Sequence, residues 1–180
     1  TSHHTHFVIG SGSGDPEKYN PYSSRETLDH SIPYIFAVAL QDREWHHIAS
    51  YTGQRAQRPD TVALWKKITT SEDPTWTERY HSSDPAVKAF GGRVDITLTN
   101  GTIISDEIAV AKAHPLGDSP FVSADYDAKF VSLTSSLLDE PESDRFLSTA
   151  HGMARLSGRE LDGLTPLAAV RLDAAKRGIF

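Results

Sequence analysis

A chain of 180 residues with a net charge of −6 and no cysteine can hold one domain with a sizeable core, or one domain with an appendage. The acidic balance and the lack of any Lys/Arg run argue against a phosphate-backbone partner, so no nucleic acid is expected, and the missing thiols exclude a disulfide framework, a thiolate nucleophile and cysteine-held zinc or iron–sulfur. The longest apolar run, Ile35 to Leu40, falls far short of the roughly 20 residues that cross a bilayer, and no signal-peptide pattern opens the chain; neither a membrane nor export is expected, and a cytoplasmic placement is.

Residues 1 to 9 alternate as a strand, with His4, His6 and Val8 on one face and His3, Thr5, Phe7 and Ile9 on the other. The chain starts in this segment without a Met, as a piece of a longer protein would. His3, His4 and His6 invite a metal, but no further ligand at a suitable spacing completes a site, and none is expected. Gly10 to Pro21 is a loop whose G-x-G-x-G run lacks the spacing of a dinucleotide or phosphate loop.

Ser23 to Leu40 reads as one helix, opened by Ser23 and Glu26 as a capping box and kinked near Asp29 by Pro33. Its core-facing stripe is expected to be Leu28, Ile32, Ile35, Phe36, Ala39 and Leu40. The opposite stripe carries His30, Tyr34, Ala37 and Gln41 without a Lys or Glu, which suits a cleft or a second domain better than bulk water. His30 and Tyr34, four apart on that face, are the best acid/base candidates by residue type. A buried polar pair joining two domains would look the same.

Asp60 is expected to cap a second helix that buries Val62, Leu64 or Trp65, and Ile68. The adjacent His46 and His47 point different ways and suit a surface. Ser71 to Phe90 reads as irregular. Val94, Ile96 and Leu98 then alternate with polar residues up to Asn100-Gly101, a type I′ hairpin signal, and the return strand runs from Thr102 to Val110 with a bulge expected at Ile103 and Ile104. Ser123 to Leu138 is expected to be a helix burying Tyr126, Phe130, Leu133 and Leu137. A further helix, about Glu142 to Leu156, is expected to end at Gly158. Beyond Arg159 the packing signals are few until Ile179 and Phe180.

The blocks RETLDHSIPYIFAVALQDREWHH, RPDTVALWKKI, KAFGGRVDITLTNGTII and AKAHPLGDSPF resemble the C-terminal part of the MmgE/PrpD family, and the likeness runs over essentially the whole chain. It implies an α+β fold: residues 1–137 as a two-layer lid with an antiparallel hairpin packed by helices, and 138–180 as terminal helices that pack on an all-helical domain outside this chain. It further implies a hydro-lyase that removes water from 2-methylcitrate to give 2-methyl-cis-aconitate in propionate breakdown, without a metal or other cofactor. Citrate dehydration, decarboxylation of cis-aconitate and epimerisation occur in the same family. The main acid/base residues are expected upstream of this chain, with the N-terminal helical domain as partner, a homodimer as the assembly and a tricarboxylate as substrate.

On that reading Tyr34 and His30 match the family's H-S-x-x-Y element and are the catalytic candidates, while Arg25, Arg93 and His114 are candidates for holding substrate carboxylates. A non-catalytic dimerisation or interaction module is the competing class, and a small metal-binding protein using His3, His4 and His6 is a third.

Overall fold

In the computed structural model, which describes residues 1–168, the chain opens with a helical turn rather than a strand. Thr5–Ile9 wind as a single π-helical turn. Ser2 stops an extended start: its hydroxyl accepts from the Thr5 N–H at 3.3 Å, its carbonyl accepts from the His6 N–H, and the His3 and Phe7 rings, four residues apart, meet at 4.6 Å. Local side-chain bonding of this kind competes directly with strand formation.

The segment expected as one kinked helix is two. Helix α1 covers Arg25–Asp29 and is capped by Ser24, not Ser23, whose hydroxyl instead donates to Glu17. Helix α2 covers Ile32–Asp42, and Ser31 caps it by accepting from the Tyr34 N–H. Pro33 therefore sits in the first turn of α2, where its missing N–H has no helical partner to lose, and it starts a helix instead of bending one. The restart also resets the phase of the apolar stripe. Tyr34, Ala37 and Val38 are buried while Ile35 and Phe36 are only half-buried and Leu40 is exposed.

Thr52 caps the short α3, Gly53–Ala56. Helix α4, Pro59–Trp65, begins one residue before the expected cap, so Asp60 lies in its first turn, held by Arg58. Leu28, Tyr34, Ala37, Val38, Ala56 and Trp65 form one buried cluster, in which the Tyr34 and Trp65 rings lie 4.8 Å apart. Arg55 locks its edge: the guanidinium takes both oxygens of Asp42 at 2.8 and 2.9 Å, reaches Gln41 at 3.0 Å, and bonds the buried Thr61 hydroxyl.

The stretch read as irregular contains α5, Pro74–His81, started by Pro74 under an Asp73 cap and anchored by the buried Trp76. Strands β1, Gly92–Thr97, and β2, Ile103–Ile108, then pair antiparallel through six consecutive partners, from Gly92 with Ile108 to Thr97 with Ile103. No bulge interrupts them at Ile103 and Ile104. The irregularity lies in the turn instead. Gly101 takes φ 83°, Asn100 does not share a positive φ, and Leu98 bonds across to Thr102, which is a three-residue loop closed by a left-handed glycine rather than a type I′ turn.

Thr1–Pro120 make one compact unit and a second begins at Phe121. There α6 covers Ser123–Thr134, its start held by the Asp125 side chain on the Val122 N–H. Helix α7 covers Glu140–His151 under an Asp139 cap and ends at Gly152, six residues before the expected Gly158. Phe130 and Phe146 stack at 4.6 Å between them. Tyr126, Leu133 and Leu137 stay exposed within this unit, against the expectation that they are buried. Arg145 bonds Glu142 and the carbonyls of Gly163 and Thr165, tying the following 3-10 turn, Glu160–Leu164, to α7. Ile179 and Phe180 lie outside the described residues. Helices and one antiparallel hairpin thus make an α+β fold, as expected. Among the described residues no helix is long and apolar enough to cross a membrane.

Candidate functional site

The break between α1 and α2 holds the first of the acid/base candidates. His30 occupies the C-cap of α1, and its exposed ring turns back along the helix so that Nδ1 lies 2.9 Å from the Glu26 carbonyl. A carbonyl can only accept, so in the neutral ring this contact puts the proton on Nδ1 and the lone pair on Nε2, which has no hydrogen-bond partner among the described residues. That is the form of imidazole a general base requires.

Tyr34, four residues on, does not share a helical face with His30, because the helix restarts at Ile32. It is fully buried, and its hydroxyl donates to the Ser50 carbonyl at 2.5 Å. Burial pushes its pKa up from 10.0 to about 12, against a smaller lowering by Arg55. Tyr34 is linked to Asp29, the residue before His30, through aromatic neighbours. Trp45 stands edge-on to Tyr34 at 6.2 Å and to Tyr51 at 5.0 Å. The Tyr51 hydroxyl bonds the Asp29 carboxylate, and the exposed Arg25 guanidinium lies over the Tyr51 ring at 4.9 Å. Arg25 therefore stands over the ring that bonds Asp29, the residue before His30, and among the described residues no hydrogen bond engages its guanidinium.

Arg93 and His114 belong elsewhere. Arg93 lies on the exposed face of β1 and bonds Asp95 at 2.9 Å, with Ser105 beside them; Ser105 first and then Arg93 hold the Asp95 carboxyl below its usual range. His114, in the loop after the hairpin, accepts the Leu116 N–H on Nδ1 at 3.1 Å. A hollow of about 490 Å³ opens near the hairpin between Arg79, Lys88, Glu107, Ile108, Leu116 and Asp118. Its cations are already engaged, Lys88 on the carbonyls of Tyr80 and Ser82 and Arg79 on that of Val87, and the acid/base groups are not in it.

The three N-terminal histidines disperse: His3 pairs with Glu72 and His6 with Thr70, while the His4 ring stacks on Tyr80. Among the described residues no group of three metal-ligating side chains comes together. Asp29, Trp45 and Tyr51 are the neighbours of the α1–α2 break that sequence reasoning missed. Their spacing from His30 carries no motif, and only the paired aromatics of W-H-H-I-A-S-Y hinted at a packed loop.

Helix α1 thus carries an exposed arginine at its start and an exposed histidine at its end. Residues 1–154 match the MmgE/PrpD C-terminal domain, and the chain belongs to that family. It is similar to the mitochondrial 2-methylcitrate dehydratase of Yarrowia lipolytica (strain CLIB 122 / E 150), 33% identical over 101 residues. That alignment covers 56% of this chain and 18% of the relative, so the chain spans less than a fifth of the relative's length there.

Proposed function

We propose that this chain is the lid portion of a hydro-lyase that eliminates water from 2-methylcitrate to give 2-methyl-cis-aconitate in propionate breakdown. The observation that carries the reading is the family match across residues 1–154, joined to the name of the Yarrowia lipolytica relative. In such an elimination a base takes the proton from the carbon next to a carboxylate while an acid protonates the departing hydroxyl, which leaves as water. His30, with Nε2 bare, is one of that pair, and the remaining groups belong to the helical domain outside this chain. Tyr34 keeps its proton at neutral pH, so it supports the site as a donor and as the floor under Trp45 rather than as a base.

Arg25 meets a carboxylate of the substrate. Arg93 and His114 would join it only by leaving Asp95 and the Leu116 N–H. The exposed Ile103, Ile104 and Ile108 of β2 support the N-terminal helical domain or a second copy as partner, and they equally favour the second reading, a module whose work is association alone. A chain without cysteine suits the cytoplasm.

The test is the full-length protein with 2-methylcitrate, following the ultraviolet absorbance of the conjugated product, with citrate alongside. The expected result is turnover of 2-methylcitrate that falls about 100-fold or more in His30→Asn. Turnover of citrate alone transfers the activity to another reaction of the family, and no turnover of either favours the association module. Undiminished turnover in His30→Asn removes His30 from the reaction.

A further inference from the structure

Two hydrogen bonds run in opposite directions between the 3-10 turn Pro16–Tyr19 and the break that holds His30. The Lys18 ammonium donates to the His30 carbonyl at 2.8 Å, and the Ser31 hydroxyl donates to the Lys18 carbonyl at 2.7 Å. Both side chains are buried, Lys18 to 6% exposure and Ser31 to none. Lysine is almost never this buried unless something pairs it, and here the partner found is a backbone carbonyl rather than a carboxylate. An ammonium removed from water for one carbonyl is a costly arrangement to keep unless that carbonyl needs holding.

It does need holding. The last carbonyls of a helix have no partner within it. At the end of α1 the His30 N–H closes on Thr27 and the Ser31 N–H on Leu28, and the His30 carbonyl is left for the ammonium. The next residue already serves α2, since Ser31 accepts the Tyr34 N–H. Rotation of the whole His30 backbone out of the last turn of α1 would carry its Cα and imidazole off the Glu26 carbonyl, and with it the bond that fixes the ring tautomer. Lys18 resists that rotation from one side and Ser31 from the other.

We propose that Lys18 is a positioning residue for His30: its ammonium, clamped on the His30 carbonyl, keeps Nδ1–H on Glu26 and Nε2 bare toward the surface. This rests on the reading of His30 as an acid/base group, yet it makes a claim about the ring that needs no turnover to test. Lys18 itself touches no substrate.

Nitrogen-15 NMR of the histidine rings of this chain, in mildly alkaline solution, reads the claim directly. The wild type is expected to carry the His30 proton on Nδ1, together with a slowly exchanging Lys18 ammonium coupled to the His30 carbonyl carbon. Lys18→Met, of similar length but without a donor, is expected to move the His30 proton largely to Nε2, and Lys18→Arg to restore Nδ1–H. A wild-type ring protonated on Nε2, or a freely exchanging Lys18 ammonium, overturns the proposal even if Lys18→Met fails to fold. A folded Lys18→Met that melts earlier but keeps Nδ1–H makes Lys18 a packing residue and overturns it equally. In the full-length protein Lys18→Met is expected to lower kcat about tenfold with KM unchanged, and to add no further loss in a His30→Asn background. Should His30→Asn leave turnover whole, the functional reading falls while the tautomer result still decides what Lys18 does.

Discussion

Around α2, Leu28, Tyr34, Val38 and Trp65 lose almost all contact with solvent, whereas along β2 Ile103, Ile104 and Ile108 each keep half or more of their surface exposed. The residue types are equally apolar, so the difference lies in what stands nearby. Helices α1 to α4 follow one another within about forty residues, and every turn of α2 finds a neighbour supplied by local chain. The hairpin has one partner strand for each strand, and a two-stranded sheet on its own is marginal in water. The helical cluster therefore carries its own stability, while the hairpin keeps an apolar face open to solvent.

The largest effect that separates the two regions is expected at Trp65. Its side chain is fully buried, and among the described residues no acceptor meets its indole N–H, so it stabilises by packing alone. Trp65→Ala is expected to cost about 3–5 kcal/mol, read by chemical denaturation. A loss under about 1 kcal/mol would mean that the cluster around α2 is not the core.

Tyr34→Phe comes next. It leaves the Ser50 carbonyl without its donor and is expected to cost about 2 kcal/mol, enough to lower the melting temperature measurably. It also removes a pH limb. Because burial raises the folded pKa from 10.0 to about 12, the native state holds this proton where the unfolded chain has released it. That contribution is complete below about pH 10 and is lost as pH climbs toward 12. Denaturation curves of wild type and Tyr34→Phe should therefore converge across that interval. A constant gap up to pH 12 would mean that the phenol titrates normally, and hence that it is not buried.

The α+β class and the hairpin were legible because they rest on local patterns: strict alternation at Val94, Ile96 and Leu98, and a glycine after Asn100. The face of α2 was not legible, because Ser31 can act as a cap or as a mid-helix residue, and only the contact with Lys18 decides for the cap. Once it caps, Pro33 changes from a breaker to a starter, and the buried stripe moves from Ile35 and Phe36 to Tyr34 and Val38. Two apolar faces competed and tertiary packing chose. The pairing of His30 with Tyr34 failed for the same reason, since spacing by four places two residues together only if one helix spans both. The orientation of the His30 ring comes from a bond to the Glu26 carbonyl that no motif records.

The smallest expected effect is the most informative about the hairpin. Ile104 of β2 pairs with Ile96 of β1 and is half exposed, so in this chain alone Ile104→Thr should change stability by no more than about 0.5 kcal/mol, and threonine suits a strand as well as isoleucine does. The same substitution in the full-length protein puts a hydroxyl where a partner surface is expected to exclude water. There it should cost about 1–3 kcal/mol, and the gap between the two measurements is the contribution of whatever covers the sheet. Equal and small losses in both would mean that the hairpin stays open to solvent in the complete protein, and would leave its isoleucines to an assembly formed only when another copy or another protein binds.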